Sequence, residues 1–428
     1  MHLEPFGDIY GTDPAAVWRR LLDSGEHVAY DDELDLWLIA GHDLARSVLA
    51  DTRRFSVPAL TPMQQLHPRA AKTLTQLDAP PVIADPPLHA RTRAALIAVF
   101  ATTSTRAEQL WADVVRRRAE QLADHLAHQV AATPWPDVDL VELFCSRFPL
   151  YVMLDVLGIP ADDMSRIAAW ADNFTALTCG RLDDDDQISA ANGLLALWDF
   201  CRDLVVLRAG IHRNWQPHGL IGDLLSYRDG DDHRLTLPET SALVLTLLVA
   251  GWESTAAAVG HALEHGLRDR DRWAQLAVDE HYAAVHTEET LRHSPAIDGQ
   301  LRITTTDVDL DGTLIPAGSR CLVLIGAANH DPRVFDQPAT FQPGRARLSQ
   351  QLGFGAGAHY CVGAALARIE ITTALSVLAR RLPDLTLAAG YDRRFRPSVS
   401  VRQHTALPAT IAVRCPVAHG TLPPVAQP

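Results

Sequence analysis

One stretch of the chain sets a single cysteine among three glycines, and it is the strongest candidate for chemistry. Residues 354–363 read Phe-Gly-Ala-Gly-Ala-His-Tyr-Cys-Val-Gly. Glycine allows backbone angles that are closed to other residues, so such a loop can approach a flat, bulky group closely. Cys361 comes just before residues 364–378, whose recurrent Leu and Ala predict a helix. The free N–H groups and positive dipole end at the start of that helix would lower the pKa of the thiol and favour the thiolate.

Three kinds of chemistry are open to a thiolate in this position: nucleophilic attack, zinc binding and axial ligation of a heme iron. Zinc requires three or four protein ligands, and no second cysteine lies near Cys361 in the sequence. The sequence has no C-x-x-C-H motif, which would attach a c-type heme. The glycines also imitate a dinucleotide-binding turn, but no strand–turn–helix–strand unit surrounds them, so this interpretation is weak.

The complete pattern, Phe-Gly-x-Gly-x-His-x-Cys-x-Gly, resembles the heme-ligand loop of the cytochrome P-450 family. The resemblance implies that the thiolate of Cys361 is the axial ligand of a heme b iron, with Phe354 and Gly355 in the cofactor site. It also implies that His359 donates to a heme propionate. The alternative is a chance glycine-rich loop around a buried structural cysteine. The motifs that follow, which occur in the family's order, argue against that alternative.

A basic pair earlier in the chain bears on the same cofactor. Residues 85–93 open a predicted helix on which His89 and Arg93, four apart, share a face. This segment resembles the family's D-P-P-x-H-x-x-x-R motif, which implies that both side chains hold heme propionates. Arg302 similarly fits a second propionate arginine. Carboxylates enclosed in protein require fixed cationic donors. A His/Arg pair with no other motif beside it would instead indicate a solvated basic face.

A long buried helix is predicted from residue 236 to about residue 267. Thr236 and Glu239 form a capping box at its start, and residues 243–250 are apolar on all sides. Gly251 and Glu253 interrupt this pattern, and a glycine inside a helix costs about 1 kcal/mol relative to alanine. Local conflicts of this kind are expected at functional sites.

The interruption, residues 250–255, resembles the family's A-G-x-[DE]-T-[TS] signature. The resemblance implies that Ala250 and Gly251 lie beside the heme and that Glu253 and Ser254 relay protons to bound dioxygen. Ser254 stands where the family usually has threonine; it keeps the hydroxyl but lacks the methyl group that restricts the rotamer. Ordinary monooxygenation is favoured, while peroxide-driven or coupling chemistry stays open. The remaining alternative is a buried helix with a satisfied polar pair.

A charge triad is expected to brace the cysteine loop. Glu289 and Arg292 face each other on a predicted helix, three residues apart. Such pairs are common, but residues 341–345 match the family's F-x-P-x-R segment and add Arg345. The resemblance implies a structural role for the three side chains.

The elements around these motifs are predicted from periodicity. Helices are predicted for residues 13–22, 42–49, 163–177 and 188–208, and a strand pair for residues 27–30 and 37–40. Residues 56–87 are expected to be irregular, and residues 183–186 to form an exposed loop.

The resemblance also outlines a substrate pocket. The helices predicted for residues 163–177 and 188–208 would form its roof, and residues 56–87 would cover the substrate. Two extended segments, residues 297–301 and 398–402, would reach the pocket. Asp298, Gln300 and Ser398 could supply polar groups there, although each is more often a solvated loop residue.

Composition limits the remaining possibilities. The chain has 428 residues, 47% hydrophobic and 21% charged, with a net charge of −14, which disfavours a nucleic-acid partner. Its six cysteines have no paired spacing, which fits free thiols in a reducing cytoplasm. No apolar run reaches the roughly 18–20 residues of a membrane span, and no signal sequence is recognisable. A soluble, cytoplasmic monomer is expected.

The predicted fold class is mainly α with a small β-rich part, the triangular helical P-450 fold, as one domain over residues 1–428. Residues 1–12 and 414–428 are expected to be flexible tails. Arg106 and residues 116–118 form a basic cluster, read either as a solvated face or as a docking patch for an acidic electron donor.

The predicted function is a heme-thiolate monooxygenase that acts on a small organic substrate, in secondary metabolism. Heme b and O2 are the expected cofactors. Electrons would come from NAD(P)H through a separate ferredoxin and ferredoxin reductase, because the sequence has no recognisable flavin or reductase domain. The alternatives are oxidative coupling or cyclisation, β-hydroxylation of an amino acid bound to a carrier protein, and a non-catalytic heme sensor.

Overall fold

The structure is a computed structural model that describes residues 3–57, 62, 64–77, 84–100, 103–132, 138–211 and 219–411. The helices in these ranges are α1 (Asp8–Thr12), α2 (Pro14–Asp23), α3 (His42–Ala50), α4 (Pro68–Leu74), α5 (Leu88–Val99), α6 (Ser104–Ala132), α7 (Arg147–Leu157), α8 (Met164–Cys179), α9 (Asp184–Ile211), α10 (Leu220–Arg228), α11 (Leu237–Leu267), α12 (Arg270–Val278), α13 (Glu280–His293), α14 (Ile325–Ala328) and α15 (Ala364–Arg381).

The strands contribute a smaller part of the molecule. They are β1 (Val28–Asp31), β2 (Leu36–Ile39), β3 (Phe55–Ser56), β4 (Val138–Asp139), β5 (Gly299–Thr304), β6 (Val308–Leu310), β7 (Thr313–Ile315), β8 (Arg320–Leu324), β9 (Leu385–Leu387) and β10 (Pro408–Ile411). The largest sheet has the order β1-β2-β8-β5-β3, with β2 and β8 parallel and the other pairs antiparallel. Its β5 strand carries Gln300 and Arg302 toward the site described below.

Helix α11 runs through the centre of the core, as its apolar pattern predicts. The capping box is confirmed: the Thr236 hydroxyl accepts a hydrogen bond from Glu239 N at 3.2 Å, and the Glu239 carboxylate accepts one from Thr236 N at 2.8 Å. The helix packs against α7, α9 and α15. Of the helices in the described ranges, only α11 is long and apolar enough to cross a membrane, and 83% of its most apolar window is buried inside the protein. Such burial is typical of a core helix.

The predicted helices and the strand pair near the N-terminus are confirmed, and two expectations about irregular segments are wrong. Residues 68–74 form a helix, α4, inside the segment predicted to be irregular. Pro68 occupies its first turn, and the His67 ring accepts a hydrogen bond from Arg69 N at 3.2 Å. Residues 184–186 are exposed as expected, but they form the first turn of α9, where carboxylates stabilise the positive helix end.

Residues 3–12 of the expected N-terminal tail are packed rather than flexible. Leu3 and Tyr10 are buried, and α1 lies within this segment. The Tyr10 hydroxyl donates to Asp298, which also pairs with Arg402. The predicted tail at residues 414–428 lies outside the described residues.

Candidate active site

A cavity of about 410 Å³ lies between α11 and the cysteine loop. Most of its lining side chains are apolar and come from α8, α11 and α15. The predicted segments at residues 297–301 and 398–402 do reach it, through Ile297, Gln300, Ser400 and Val401. None of the described residues between 56 and 87 lines this cavity; residues 58–61, 63 and 78–83, which fall in the same predicted covering segment, lie outside the described residues.

The cysteine loop is shaped by its glycines. Gly355 and Gly357 have φ angles of +73° and +71°, a region that favours glycine. A Cβ atom on Gly357 would lie 2.6 Å from the Cα atom of Ala50, so the loop packs directly on the end of α3. Cys361 N donates to Phe354 O at 3.0 Å and closes the loop. The sequence therefore brings Cys361 to the cavity three residues before α15 begins.

The predicted lowering of the Cys361 pKa is wrong. The side chain is exposed where it lines the cavity, yet the surrounding protein withdraws it from bulk water, and this desolvation raises the pKa of the thiol. The backbone N–H of Gly363 and the guanidinium groups of Arg93 and Arg368 lower that pKa by a smaller amount. A bound metal ion deprotonates a coordinating thiol outright, so a thiolate here fits a metal ligand better than a free nucleophile.

The predicted propionate donors gather on one side of the loop. The rings of His89 and His359 lie 4.0 Å apart, and Arg93 Nη2 donates to the Tyr360 carbonyl at 2.7 Å. Arg302 is buried in β5. Burial, together with the positive neighbours His89 and Arg302, lowers the pKa of His359 to about 4. Burial likewise lowers the pKa of Arg302 to about 10.

This donor group fits an anionic ligand. His359 Nε2 is buried without a hydrogen-bond partner, although a buried polar atom of this kind normally has one. The positive charges of these donors repel one another. The carboxylate of Asp85 favours the charged forms of His89, Arg302 and His359. A pair of carboxylates bound at this position would satisfy the orphaned nitrogen and neutralise the cluster. The residues present are thus compatible with a heme whose propionates point toward them.

On the opposite wall, α11 faces the cavity where the sequence predicted a functional interruption, and the helix continues through this point without a break. Ala250 is exposed and Gly251 is half-buried, because both line the cavity. The apolar pattern of residues 243–250 predicted burial on all sides instead. A Cβ atom on Gly251 would lie 2.6 Å from Met153 Sδ, so the glycine lets α7 pack closely here. Ser254 also lines the cavity, and its hydroxyl donates to the Ala250 carbonyl at 2.8 Å.

Glu253 is the buried acid of this wall. It is 6% exposed, and its carboxylate accepts a hydrogen bond from the Thr175 hydroxyl of α8. Burial raises its pKa to about 7, with a further increase from Asp172, while the Thr175 hydrogen bond and Arg396 oppose the shift. A group with this pKa can both accept and donate a proton at neutral pH.

The predicted charge triad is assembled. Arg292 Nη2 and Arg345 Nε contact Glu289 Oε1 at 2.7 and 3.0 Å, and Gln342 N donates to the same oxygen at 2.8 Å. Arg292 Nη1 donates to the Asn329 carbonyl at 2.9 Å. Asn329 Oδ1 in turn accepts from Leu352 N at 2.8 Å, two residues before the cysteine loop. The triad is thereby linked to the loop through Asn329.

Two of the predicted polar pocket groups lie elsewhere. Asp298 is buried in contact with Arg402 and Tyr10 and does not line the cavity. The Ser398 hydroxyl accepts from the backbone N–H groups of Ser400 and Val401 and shapes the tip of its segment. Gln300 does line the cavity.

Sequence reasoning missed several polar residues of the cavity, among them Thr175 and Glu370. Thr175 contacts Glu253, but nothing in its own segment indicates that contact. Glu370 of α15 is buried beside the cavity, with Oε2 unpartnered and its pKa raised well above the ordinary value by burial. A glutamate within an apolar helix was the signal that could have identified it.

Comparisons with known proteins identify the class to which this fold and site belong. The family model described as cytochrome P450 matches residues 281–382. The chain is 31% identical over 415 residues to the cytochrome P450 monooxygenase PikC of Streptomyces venezuelae, covering 95% of this chain and 93% of that protein. It is 32% identical over 389 residues to the mycinamicin IV hydroxylase/epoxidase of Micromonospora griseorubida, covering 90% and 91%. The solved P450 heme domain of Tepidiphilus thermophilus superposes with a TM-score of 0.86 at 26% identity, covering 95% and 96%.

The chain belongs to the cytochrome P450 family. It is a cytochrome P450 monooxygenase with the P450 fold, so the predicted fold class and enzyme class are confirmed. Its cofactor is heme, used with O2 and with electrons from NAD(P)H through redox partners. The heme would supply the chemistry that cleaves the O–O bond, and the protein supplies orientation and electrostatics.

Proposed function

We propose that this P450 inserts one oxygen atom of O2 into a C–H or C=C bond of a small, largely apolar organic substrate of secondary metabolism. The observation that carries the proposal is the apolar cavity with Cys361 on one wall and the Glu253/Ser254 pair on the other. The relatives named as a monooxygenase and as a hydroxylase/epoxidase support the same reaction class.

The residues take the following proposed roles. Cys361 ligates the heme iron, and Phe354, Gly355, Ala250 and Gly251 form the adjoining walls. The propionates are held by four donors, His89, Arg93, Arg302 and His359. The triad of Glu289, Arg292 and Arg345 keeps the cysteine loop in place and has no chemical step.

Glu253 and Ser254 move protons in the cavity. The Glu253 carboxyl has a pKa of about 7, so it can be reprotonated at neutral pH after each transfer. The Ser254 hydroxyl now donates to the Ala250 carbonyl, and it must turn to donate into the cavity. A serine turns more readily than the threonine usual in the family, because it lacks the methyl group that restricts rotation.

The cavity lining indicates the chemical character of the substrate. The part of this lining beside Cys361 would be covered by the heme. Apolar side chains make up most of the remaining lining, and its polar groups include Gln300, Thr178 and Ser400. Sites of this kind take a mostly apolar molecule and orient it through a few polar contacts. A terpenoid or macrolide skeleton with one or two oxygen functions matches that description.

Electrons are proposed to come from a separate ferredoxin and ferredoxin reductase. Part of the basic cluster suggested for docking is already engaged: Arg118 Nε and Nη2 each contact Asp155 at 2.7 Å. Arg106 and Arg116 are exposed and stay available to an acidic partner.

The experiment is a spin-state titration of the heme-loaded ferric protein, followed by turnover under labelled dioxygen. Free terpenoids, macrolides, cyclic dipeptides and amino acids form one panel, and aminoacyl carrier proteins form the other. A blue-shifted Soret band with a free compound, followed by incorporation of one labelled oxygen atom into product, is expected with a surrogate ferredoxin. Product without labelled oxygen would instead establish coupling or cyclisation.

Two further outcomes separate the remaining alternatives. A Soret shift seen only with a carrier-bound amino acid would establish a carrier protein as partner. Tight ligand binding without turnover under any electron donor would establish a heme sensor and contradict the proposal.

A further inference from the structure

One face of α8 reaches the buried acid of the cavity. Thr175, four residues before the end of α8, is half-buried and lines the cavity, and its hydroxyl donates to Glu253 Oε2 on α11. This contact joins the helix predicted as part of the roof to the acid proposed for proton transfer. What we infer from this contact rests on the proposed role of Glu253.

The neighbouring hydroxyl on α8 behaves differently. Thr178 also lines the cavity, but its hydroxyl donates to the Phe174 carbonyl of its own helix at 2.8 Å. Internal bonding of this kind is common for Ser and Thr within helices. Thr175 directs its hydrogen to the other helix instead, so the two threonines form a matched pair with and without the contact.

Charged groups surround Glu253 unevenly. Asp172 lies one turn before Thr175 on α8 and pairs with Arg396 at 3.7 Å, where both side chains are about half exposed. Asp172 favours the protonated form of Glu253, and Arg396 favours the ionised form. Cys179 faces the same carboxyl from α8, while Cys361 and Glu370 lie along the cavity beside α15. The Thr175 hydroxyl is the neutral donor that favours the ionised carboxylate.

We propose that Thr175 is a positioning residue of the oxygenation reaction, whose hydroxyl fixes the Glu253 carboxyl against α8 and orients it for proton transfer. With this donor in place, the carboxylate is held in one orientation and in a defined protonation equilibrium. Without the donor, the carboxyl takes up a proton more readily and is free to turn.

The direct test is an infrared titration of the heme-loaded ferric protein without substrate or electron donor. The C=O band of protonated Glu253 is identified by its loss in Glu253→Gln, and its intensity is followed with pH. A hydrogen bond to a charged group contributes about 1.5–3 kcal/mol, so removing it should raise the midpoint by about one to two pH units. Thr175→Val, which keeps the shape and removes the donor, should show this shift.

Two variants make the result specific. Thr175→Ser keeps a hydroxyl and should return the midpoint to that of the unaltered protein. Thr178→Val makes the same chemical change on the same helix without touching the Glu253 hydrogen bond, and it should leave the midpoint in place. An unchanged midpoint in Thr175→Val, or equal shifts in Thr175→Val and Thr178→Val, would overturn the proposal.

Turnover adds a second readout once a substrate is known. Thr175→Val should divert a larger fraction of NAD(P)H electrons to hydrogen peroxide and move the pH profile of kcat upward, while KM changes little. If no substrate is ever oxygenated, the proposed function fails, but the infrared midpoints still decide whether Thr175 positions Glu253. If product forms normally and the peroxide fraction and pH profile stay unchanged, the positioning role fails alone.

Discussion

The two walls of the cavity hold their key carboxylates in opposite ways. Behind the cysteine loop, Glu289 is fully buried and receives N–H groups from Arg292, Arg345 and Gln342. On the α11 wall, Glu253 is also buried, but among the described residues its hydrogen-bond donor is the single hydroxyl of Thr175. The first carboxylate has its charge compensated by two guanidinium groups; the second has a pKa of about 7.

This difference follows from what each wall must do. The cysteine loop must present one sulfur atom at a constant position, and a saturated ion network gives it few alternative arrangements. In the proposed function the α11 wall exchanges protons and admits ligands, so its acid needs a protonation state that can change near neutral pH. The ion network around Glu289 and the single hydrogen bond to Glu253 therefore each suit the role of their wall in the proposed mechanism.

The largest expected effect comes from breaking the braced wall. Arg292→Met should destabilise the protein by about 3–5 kcal/mol, because Glu289 loses a buried partner and the Asn329 and Pro338 carbonyls lose a donor. Urea unfolding measures the change. Arg202→Met is the matched control: Arg202 pairs with Asp199 at the same i,i+3 spacing but about half exposed, and its loss should destabilise the protein far less. Equal costs for the two variants would remove the distinction between the walls.

The next effect is a pH dependence that belongs to Glu253. Its pKa of about 7 in the folded state lies above the ordinary 4.5, so the folded protein binds this proton more tightly than the unfolded chain. Its contribution to stability is therefore lost as pH rises from about 4.5 to 7, by up to roughly 3 kcal/mol. Glu253→Gln should remove this loss, so the stability of the variant relative to that of the unaltered protein should be higher at pH 8 than at pH 5.

Urea unfolding at several pH values checks this prediction. Glu108→Gln, the same change at an exposed site on α6, serves as the control and should leave the pH dependence intact. A Glu253→Gln protein whose stability falls with pH as steeply as that of the unaltered protein would show that Glu253 is not held as an elevated acid.

The smallest effect concerns the packing of the α11 wall. Gly251→Ala should gain none of the roughly 1 kcal/mol that alanine normally contributes in a helix, because the new methyl group must displace Met153. Gly210→Ala, in α9 where nothing lies near the added atom, should be stabilising by up to about that amount. Thermal unfolding of both variants measures the difference. A stabilised Gly251→Ala protein would mean that α7 does not pack closely at this point.

The sequence identified most of the site because its motifs are contiguous. Residues 354–363 and 250–255 each place several participants within a few positions, and the triad needs only two short segments. Thr175 could not be found in this way, since its contact depends on how α8 crosses α11. The burial of Tyr10 and the diversion of Asp298 from the pocket depend in the same way on a long-range contact between the N-terminal segment and the residues before β5.

The error at Cys361 has a similar origin. Of the groups close to Cys361 in sequence at the start of α15, the backbone N–H of Gly363 does lower the pKa of the thiol. Desolvation comes from all elements packed around the sulfur, and it outweighs the local contribution. Helix α4 was missed for a smaller reason, because its seven residues are too few for a periodic pattern to emerge among prolines.

We propose that the sulfur of Cys361 ligates the heme iron from the wall that carries the charge triad. The absorption spectrum of the reduced carbon monoxide complex tests this ligation, recorded for the heme-loaded protein and for Cys361→His with heme content measured independently. We expect the red-shifted Soret band of a thiolate-ligated heme in the unaltered protein and its complete loss in the variant. A variant that binds heme and keeps the red-shifted band would contradict the assignment of Cys361.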